Sequence, residues 1–418
     1  MKAKPIDQTS RTRNLKILPW VKFTQNLLFW QATWFLFFQN TLSAAEAVLL
    51  YAIFDIGTTL FEVPSGYMSD RIGRTVTLLA SSLAGIASMT CFVVGDSFAV
   101  FALGQILLGA SIAFASGTDS SLLFETLTAE GREDEIEAQE LRFWRFTFAA
   151  LLVSAISGGL LARADPVLPF MFSAIAFVVM LLLVSQLKDA RQTVSEAAPV
   201  APILTAMAAA FRKPALLWLF ALSVVMYGFS HVPFVFGQPF ILDTLAQIGL
   251  SGEAALVSGV VTSLMMTISI AASFAAPWVR ARLGLSAILM LAFAIQIMIC
   301  ALLSLSQTPI AIAILFLRMV PDSLSRPFIL AAIQPLLQDG MRATYLSVQS
   351  FAGRIVFAAS LWIVSRNVTE VGEMPTEDLS RVLGLYAVAG VLIWLGLLFA
   401  VRAIKHDPKR PHAHGGRR

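Results

Sequence analysis

A charged hairpin between two apolar stretches carries the densest set of chemically active side chains in the sequence. Gly66, Asp70, Arg71, Gly73 and Arg74 form the pattern G-x-x-x-D-R-x-G-R. Glycine permits a tight turn where neighbouring helices crowd the backbone. One carboxylate and two guanidinium groups can form charge-assisted hydrogen bonds. The pattern therefore predicts an ionic latch that can break and form again at the boundary of the apolar region.

Three ionisable residues inside apolar stretches are candidates for carrying a proton. Asp55 lies about 16 Å along a helix from Gly66, close to the centre of a bilayer core about 30 Å thick. An ionised carboxylate there costs about 2.5–3.5 kcal/mol or more unless it is neutral, paired or hydrated. Asp55 is the first candidate, with a structural acid that is paired to an arginine or protonated throughout the cycle as the alternative. Asp119 is the second candidate and His231 the third, with a plain hydrogen-bonded histidine as the alternative.

Positive side chains also occur inside apolar stretches of the C-terminal half. Arg318, Asp322 and Arg326 follow one another at intervals of four residues, so a helix would place them in one ionic ladder. Two arginines against one acid leave a net positive charge, which an anionic solute, a lipid phosphate or another carboxylate could complete. Arg354 is predicted near the bilayer midplane, with Asp55 or Asp322 as a possible partner.

Two polar stripes are candidates for the lining of a solute cavity. Asn26, Trp30 and Thr33 recur at helical spacing in the first apolar stretch, where a seam that only joins helices is the alternative. Tyr227 and Gln238 share a helix face in a stretch interrupted by glycine and proline, which is typical of helices that bend over a cavity. The predicted cavity residues are Asn26, Trp30, Thr33, Tyr227, Gln238, Arg318, Asp322 and Arg354.

The composition indicates which class of protein positions these residues. Apolar residues make up 57% of the chain and charged residues only 13%, against roughly 45–50% and about 25% in soluble domains. The net charge of +4 comes from basic residues in the termini and alternate loops, so it reports topology and not a nucleic-acid surface. Cys91 and Cys300 lie in apolar stretches and are expected to be buried free thiols, with no disulfide and no metal site.

The apolar stretches are each close to the roughly 20 residues that cross a bilayer as a helix. They predict an all-α integral membrane protein with twelve transmembrane helices in two six-helix bundles. Residues 1–187 form the first bundle with its tail, 188–213 a cytoplasmic linker, and 214–418 the second bundle with its tail. The predicted spans are 17–39, 43–66, 76–94, 98–123, 142–161, 167–187, 215–242, 254–276, 286–305, 310–337, 343–364 and 382–404.

The distribution of charge predicts the orientation. Lysine and arginine are concentrated in the termini and in the loops between even-numbered and odd-numbered spans, which places both termini in the cytoplasm. The first 15 residues contain no cleavage site and are expected to be a cytoplasmic tail. The acidic segment from Ala129 to Glu140 is expected to be a solvated surface helix. The compact loops and the lack of a transit peptide favour a bacterial inner membrane.

The hairpin pattern, at its position after the second span, resembles the loop between the second and third helices of the major facilitator superfamily. The resemblance implies a secondary transporter of twelve helices with a cytoplasmic gate at this hairpin. It also implies that an acid at the end of the fourth helix pairs with the hairpin arginine, a role that Glu125 with Arg74 would fill. The second half keeps Arg282 but has Ala281 in place of Asp70, so the carboxylate latch belongs to the N-terminal half.

These features favour a secondary active transporter that works by alternating access, and not an enzyme. The sequence has no nucleotide-binding P-loop, so a proton gradient is expected as the energy source, with no cofactor. The expected partners are a small-molecule substrate, protons and the lipid bilayer, but no nucleic acid. The protein is expected to act as a monomer.

Three functions remain open. Proton-coupled efflux of small organic molecules is the first hypothesis, because the 31 phenylalanines and eight tryptophans could line a hydrophobic cavity. Against it, drug exporters of the superfamily often carry an arginine where this chain has Gln105, and a fifth-span proline that it lacks. Uptake of a small, anionic metabolite by proton symport is the alternative. A non-transporting receptor or lipid-handling protein on the same scaffold is the third hypothesis.

Overall fold

The apolar stretches form helices because a bilayer offers no hydrogen-bond partners, so each backbone amide must be satisfied within its own segment. The computed structural model describes residues 8–31, 33–39, 41–42, 44–189, 200–247, 254–305, 314–338, 340–365 and 376–405. Within these ranges the chain consists of helices joined by turns and short loops, without a β-strand.

The helices are labelled here in chain order. They are α1 (Gln8–Gln25), α2 (Trp34–Gln39), α3 (Ala44–Arg71), α4 (Arg74–Val94), α5 (Phe98–Ala115), α6 (Thr118–Glu130), α7 (Ile136–Ala164), α8 (Leu168–Val184), α9 (Val200–Phe211), α10 (Pro214–Gln247), α11 (Ala254–Leu283), α12 (Leu285–Leu305), α13 (Val320–Ile333), α14 (Arg342–Ser365) and α15 (Thr376–Lys405). Short 3-10 helices, Glu133–Glu135 and Gln334–Leu336, precede α7 and follow α13.

Seven helical segments of the described chain are long and apolar enough to cross a membrane, and the shorter α8 is apolar as well. The seven are Arg74–Val94, Phe98–Glu130, Glu133–Ala164, Pro214–Val232, Gly259–Leu283, Leu285–Leu305 and Ser380–Arg402. The predicted all-α membrane fold is confirmed. The count of twelve spans and the division at residues 188–213 stay predictions.

The predicted first span is wrong in its boundaries. Helix α1 already includes Gln8, ends at Gln25, and is followed by turns before α2 begins at Trp34. The break occurs at Asn26, whose side-chain nitrogen donates to the Lys22 carbonyl at 2.7 Å and so competes with the helical bonding pattern. The Phe29 amide in the broken stretch donates to the Ser173 hydroxyl of α8 at 3.2 Å. Side-chain bonding of this kind allows irregular backbone inside a bundle.

The predicted fourth span is divided into α5 and α6 at Gly117. This residue has φ +70°, a left-handed conformation that glycine adopts without steric cost. A Cβ atom at this position would also approach the Leu346 side chain of α14 to 2.8 Å. Helix α6 therefore starts inside the bundle, and its first turn presents Asp119 and Ser120 to the interior.

The acidic segment before the fifth span is only partly solvated. Glu133 and Asp134 are exposed as predicted, but α7 begins at Ile136 and carries Glu140 into the protein, where it is 1% exposed. The expectation of a solvated helix is therefore wrong for Glu140. The helical register explains this, since Glu140 is one turn after the buried Ile136 and lies on the same face.

The two larger buried apolar clusters of the described residues each belong mainly to one half of the chain. One is drawn almost entirely from α1–α8 and the other almost entirely from α9–α15. Small residues permit close helix contact, because a Cβ atom on Gly109 of α5 would lie 2.6 Å from the Thr58 backbone nitrogen of α3. Both cysteines are free as predicted, but only Cys300 is fully buried, whereas Cys91 is half-buried.

Candidate functional site

The hairpin between α3 and α4 builds a buried ionic network around Arg74. Gly73 has φ +129°, which allows the turn that brings Arg74 back over α3. Arg74 is 3% exposed, and its Nη2 atom lies 2.6 Å from Asp70 Oδ1 and 2.8 Å from Glu125 Oε1. The expected pairing of Arg74 with Glu125 is thus present. Arg71 lies beside the network, with its Cζ atom 5.4 Å from the centroid of the Tyr67 ring.

Asp70 also joins the hairpin to the C-terminal half of the chain. Its Oδ2 atom accepts hydrogen bonds from the Thr344 amide at 2.8 Å and the Thr344 hydroxyl at 2.6 Å, and Oδ1 accepts from the Ala343 amide at 3.4 Å. These amides belong to the first turn of α14, where the helix dipole favours a negative charge. Gly66 permits this approach, because a Cβ atom there would lie 2.5 Å from Ser347 Oγ of α14.

A second pair of helices connects the halves at the same end of the molecule. Arg280 of α11 lies 3.1 Å from Glu137 of α7, and Arg145 of α7 donates to the Ser273 carbonyl of α11 at 3.1 Å. The ends predicted to face the cytoplasm are therefore held together both through α3 and α14 and through α7 and α11.

Closer to the predicted midplane, a further ion pair joins α3 to α14. Arg354 Nη1 lies 2.6 Å from Asp55 Oδ1, so of the two partners proposed for Arg354 the structure selects Asp55. The Asp55 side chain is 44% exposed, whereas that of Arg354 is 13% exposed. The guanidinium group also lies 5.7 Å from the centroid of the Tyr227 ring. Asp55 is therefore paired with an arginine and remains accessible.

Glu62 is a second carboxylate close to Arg354. It is 1% exposed, its Oε2 atom lies 4.0 Å from Arg354 Nε, and its Oε1 atom accepts a hydrogen bond from Ser116 at 2.6 Å. Two carboxylates therefore flank one guanidinium group. The spacing of seven residues predicts that Glu62 and Asp55 share one face of α3. The sequence favours a role for Glu62 in the gate network, whereas the structure places it at Arg354.

A cavity of about 250 Å³ opens between the two halves, beside Ser116. It is lined by residues of α1, α6, α7, α10, α13 and α14, and by Ser116 and Gly117 at the break before α6. The charged and aromatic lining residues are Lys22, Asp119, Trp144, Tyr227, Asp322 and Arg326.

The charges in the cavity wall are paired within each half. Lys22 Nζ lies 2.5 Å from Asp119 Oδ2 on the N-terminal side. On the other side, Arg326 Nε lies 2.9 Å from Asp322 Oδ1, and Ser230 donates to Asp322 Oδ2 at 3.1 Å. The wall thus offers both an anionic and a cationic group on each side. Arg326 additionally lies over the Trp144 ring at 5.5 Å.

Of the predicted cavity residues, Tyr227 and Asp322 line the cavity. Trp30 instead stacks on Phe170, with ring centroids 6.4 Å apart, and Thr33 is buried against the Trp30 carbonyl, because the helix breaks at Asn26. Arg318 lies in the turns before α13 and so outside the helical ladder with Asp322. The side chain of Gln238 lies outside the described residues.

His231 packs in α10 beside Tyr227. Its Nδ1 atom lies 2.8 Å from the Tyr227 carbonyl, which can only accept, so Nδ1 carries the hydrogen. The two rings stack with centroids 4.1 Å apart. His231 is not among the lining residues of the cavity.

Lys22, Arg326 and Trp144 line the cavity although they were not predicted to do so. Lys22 was hidden by the misplaced first span. Because α1 includes Gln8, Lys22 is about 21 Å further along the helix and not at its start. Arg326 carried a usable signal, since its spacing of four residues from Asp322 predicted their ion pair.

The sequence profile of the Major Facilitator Superfamily matches residues 23–361. The chain is also 25% identical over 138 residues to a protein of Bacillus subtilis (strain 168) described as the uncharacterized MFS-type transporter YxaM, and this match spans 33% of the chain and 33% of that relative.

Several solved structures share the fold at low sequence identity. A bacterial homologue of the iron transporter ferroportin in an outward-facing state has a TM-score of 0.68 and 14% identity, covering 94% of this chain and 99% of that one. The transporter FucP in the outward conformation has a TM-score of 0.66 and 14% identity, covering 93% and 98%. The nucleoside transporter NupG has a TM-score of 0.62 and 15% identity, covering 93% and 98%. These neighbours are transporters and not enzymes, and the chain belongs to the major facilitator superfamily.

Proposed function

We propose that this protein is a proton-coupled secondary transporter that exports small organic molecules by alternating access. The observation that carries the proposal is the ion pair between Arg354 and Asp55, which joins the two halves beside the cavity while Asp55 remains accessible. Binding energy alone cannot move a solute uphill, so protonation of some group must change the balance between inward-facing and outward-facing states. A carboxylate paired across the interface of the halves is suited to that role.

The same contacts suggest how a proton would act. Protonation of Asp55 removes the charge that holds Arg354 Nη1 at 2.6 Å, while Glu62 remains 4.0 Å from Arg354 Nε. Arg354 then gains by moving towards Glu62, since a buried guanidinium group needs an anionic partner. Because Arg354 belongs to α14 and both carboxylates belong to α3, this exchange shifts one half relative to the other.

The hairpin network is proposed as the cytoplasmic gate. Asp70 holds the first turn of α14 through the Thr344 amide and hydroxyl, and Arg74 holds Asp70 to Glu125. Opening towards the cytoplasm separates α3 from α14, so it must break the contacts of Asp70 with α14. The side predicted to carry this gate is the inner face of a bacterial inner membrane.

The cavity limits the class of solute. A volume of about 250 Å³ holds a small molecule, since one water occupies roughly 30 Å³ of the liquid. Its charged residues favour a polar solute that carries an ionic group. This departs from the phenylalanine-lined cavity that the composition suggested, because the aromatic lining residues are Trp144 and Tyr227.

Export by exchange follows if the solute is cationic. A cationic group and a proton would compete for Asp119 or Asp322, and competition between solute and proton produces antiport. Uptake by symport is the second candidate, and the presence of Lys22 and Arg326 in the wall favours it for an anionic solute. In that case a proton on Asp119 would release Lys22 to bind the anion.

The test is proton movement in energised everted vesicles as organic cations, neutral compounds and organic anions are added one at a time. We expect a cationic compound to release protons from the lumen with the wild type but not with Asp55→Asn. Asp96→Asn, which changes an exposed carboxylate outside the helices, is the matched control and should behave as the wild type. If Asp55→Asn exchanges protons as fast as the control, the coupling role of Asp55 is wrong. If only anions move protons, and do so inward with the solute, symport replaces exchange.

A further inference from the structure

A second group of charges lies in the N-terminal half, apart from Asp55. Lys22 of α1 and Asp119 of α6 form an ion pair in the cavity wall, and the buried Glu140 of α7 is close enough for both charges to act on it. Each oxygen of Asp119 already accepts one hydrogen bond, Oδ2 from Lys22 Nζ at 2.5 Å and Oδ1 from the Ser120 amide at 2.7 Å. Glu140 is 1% exposed, and its Oε1 atom has no hydrogen-bond partner among the described residues.

The charges of this group do not balance if both carboxylates are ionised. The ionisable groups that act on Glu140 are Asp119 and Lys22. The other charged side chains of this region have partners of their own. On α7, Glu137 pairs with Arg280 of α11, and Arg145 donates to Ser273 of α11. Arg326 pairs with Asp322 within α13. A buried carboxylate that lacks its own cation, and whose Oε1 atom accepts no hydrogen bond among the described residues, is too costly to remain charged.

We infer that Glu140 and Asp119 share one proton beside Lys22 and form a second proton-binding site, distinct from Asp55. A proton fits the space where another cation does not. Sodium or calcium would need several oxygen ligands, whereas both Asp119 oxygens already accept hydrogen bonds and Glu140 contributes one unpartnered atom. A protonated carboxyl group supplies its own donor, and Ser120 is its hydrogen-bonding neighbour.

The site communicates with the solute through the cavity wall. Lys22, Asp119 and Ser120 line the cavity, whereas Glu140 lies behind them. A cationic solute group at Asp119 would expel the shared proton, and an anionic group that draws Lys22 away would retain it. This role rests on the proposed function, but the presence of the proton does not, so it is measured without a solute.

The test is infrared difference spectroscopy of the purified protein in lipid nanodiscs during a pH titration. The carbonyl stretch of a protonated carboxylic acid is the readout. We expect Glu140→Gln to remove one such signal that persists in the wild type at neutral pH, and Asp119→Asn to shift its titration. Glu133→Gln changes an exposed carboxylate just before the same helix and should leave the signal unchanged. Asp55→Asn should leave it unchanged as well, because Asp55 belongs to the other site.

Either of two spectroscopic results would overturn the inference. The first is an unaltered neutral-pH signal in Glu140→Gln, which would show that Glu140 is ionised. The second is loss of the carboxylic-acid signal when choline chloride is exchanged for sodium chloride, which would identify a metal cation as the occupant. Thermal unfolding provides a further readout. Because glutamine resembles a protonated glutamate, Glu140→Gln should unfold within a few degrees of the wild type at neutral pH, and a large loss of stability would contradict a shared proton.

Discussion

Two clusters beside the cavity have the same composition of charge but different places in the fold. One has Arg354 between Asp55 and Glu62, and the other has Lys22 with Asp119 and Glu140. The first joins α14 to α3 and so connects the two halves, whereas the second lies within the N-terminal half. Two clusters with the same composition, two carboxylates and one cation, therefore respond to different events. Separation of the halves changes the first cluster, and the contents of the cavity change the second.

The choice of cation agrees with this difference. Arginine has a planar group with several donors and can contact two carboxylates at once, whereas lysine is a compact and more strongly hydrated point charge. Arg354 reaches both Asp55 and Glu62. Lys22 makes its short contact to Asp119 and has 21% of its side chain exposed. The properties of arginine suit Arg354, which connects two halves that move. The properties of lysine suit Lys22, which a solute can displace from its partner.

Removing the cation of each cluster should give the largest effect. Arg354→Ala leaves Glu62 buried without the charge of Arg354, and breaking a buried pair costs about 3–5 kcal/mol. We expect a large fall in the thermal midpoint of the purified protein and complete loss of transport. Lys22→Ala should cost less, since the Ser120 amide still donates to Asp119. Arg354→Lys serves as the charge-conserving control. Equal losses in the two alanine variants would contradict the difference between the clusters.

The hairpin offers a third carboxylate pair around a cation, and Asp70→Asn tests whether it also connects the halves. The variant removes the negative charge at the first turn of α14. A hydrogen bond to a charged group contributes about 1.5–3 kcal/mol, so the ratio of closed to open molecules at this end should fall by about tenfold or more. Spin labels on the ends of α3 and α14 would measure the distance distribution. An unchanged distribution in Asp70→Asn, compared with Asp96→Asn, would remove Asp70 from the gate.

Glu62→Gln distinguishes the two carboxylates around Arg354. Ser116 can still donate to the glutamine oxygen, and Asp55 still binds the proton, but once Asp55 is protonated neither side chain offers Arg354 a negative charge. We therefore expect transport to slow by about tenfold or more, with proton coupling retained. Measuring protons moved per solute in vesicles compares it with Asp55→Asn, which should lose coupling. If Glu62→Gln loses coupling and Asp55→Asn keeps it, the roles of the two acids are exchanged.

The smallest effect is expected for Glu137→Gln. Its ion pair with Arg280 joins α7 to α11 but is partly exposed, and exposed pairs contribute about 0.2–1 kcal/mol. The same spin-label measurement, with labels on α7 and α11, should show that the ratio of closed to open molecules changes by less than fivefold. This change should disappear at high salt. A shift as large as that of Asp70→Asn would mean that α7 and α11 carry the gate equally.

The sequence was sufficient for the fold class and for the hairpin, because hydropathy and a short motif are local properties. The pair between Arg74 and Glu125 followed from the family resemblance. The partners of Asp70 on α14 did not, because backbone amides of a helix start carry no distinctive sequence signal. Lys22 and Glu140 were missed for a related reason. Each lies near a predicted helix boundary. Because the boundary was misplaced, a charge that the structure buries was expected to be exposed.

The first residue after Lys188 gives the connection between the halves a fixed anchor. Asp189 Oδ1 accepts hydrogen bonds from the amide and the hydroxyl of Thr75, both at 2.7 Å, at the start of α4. Only residues 190–199 then separate this anchor from α9 at Val200. At no more than about 3.6 Å per residue, they span at most roughly 40 Å. The connection is thus a tether of set length, and it limits how far α9 can move away from the hairpin in a transport cycle.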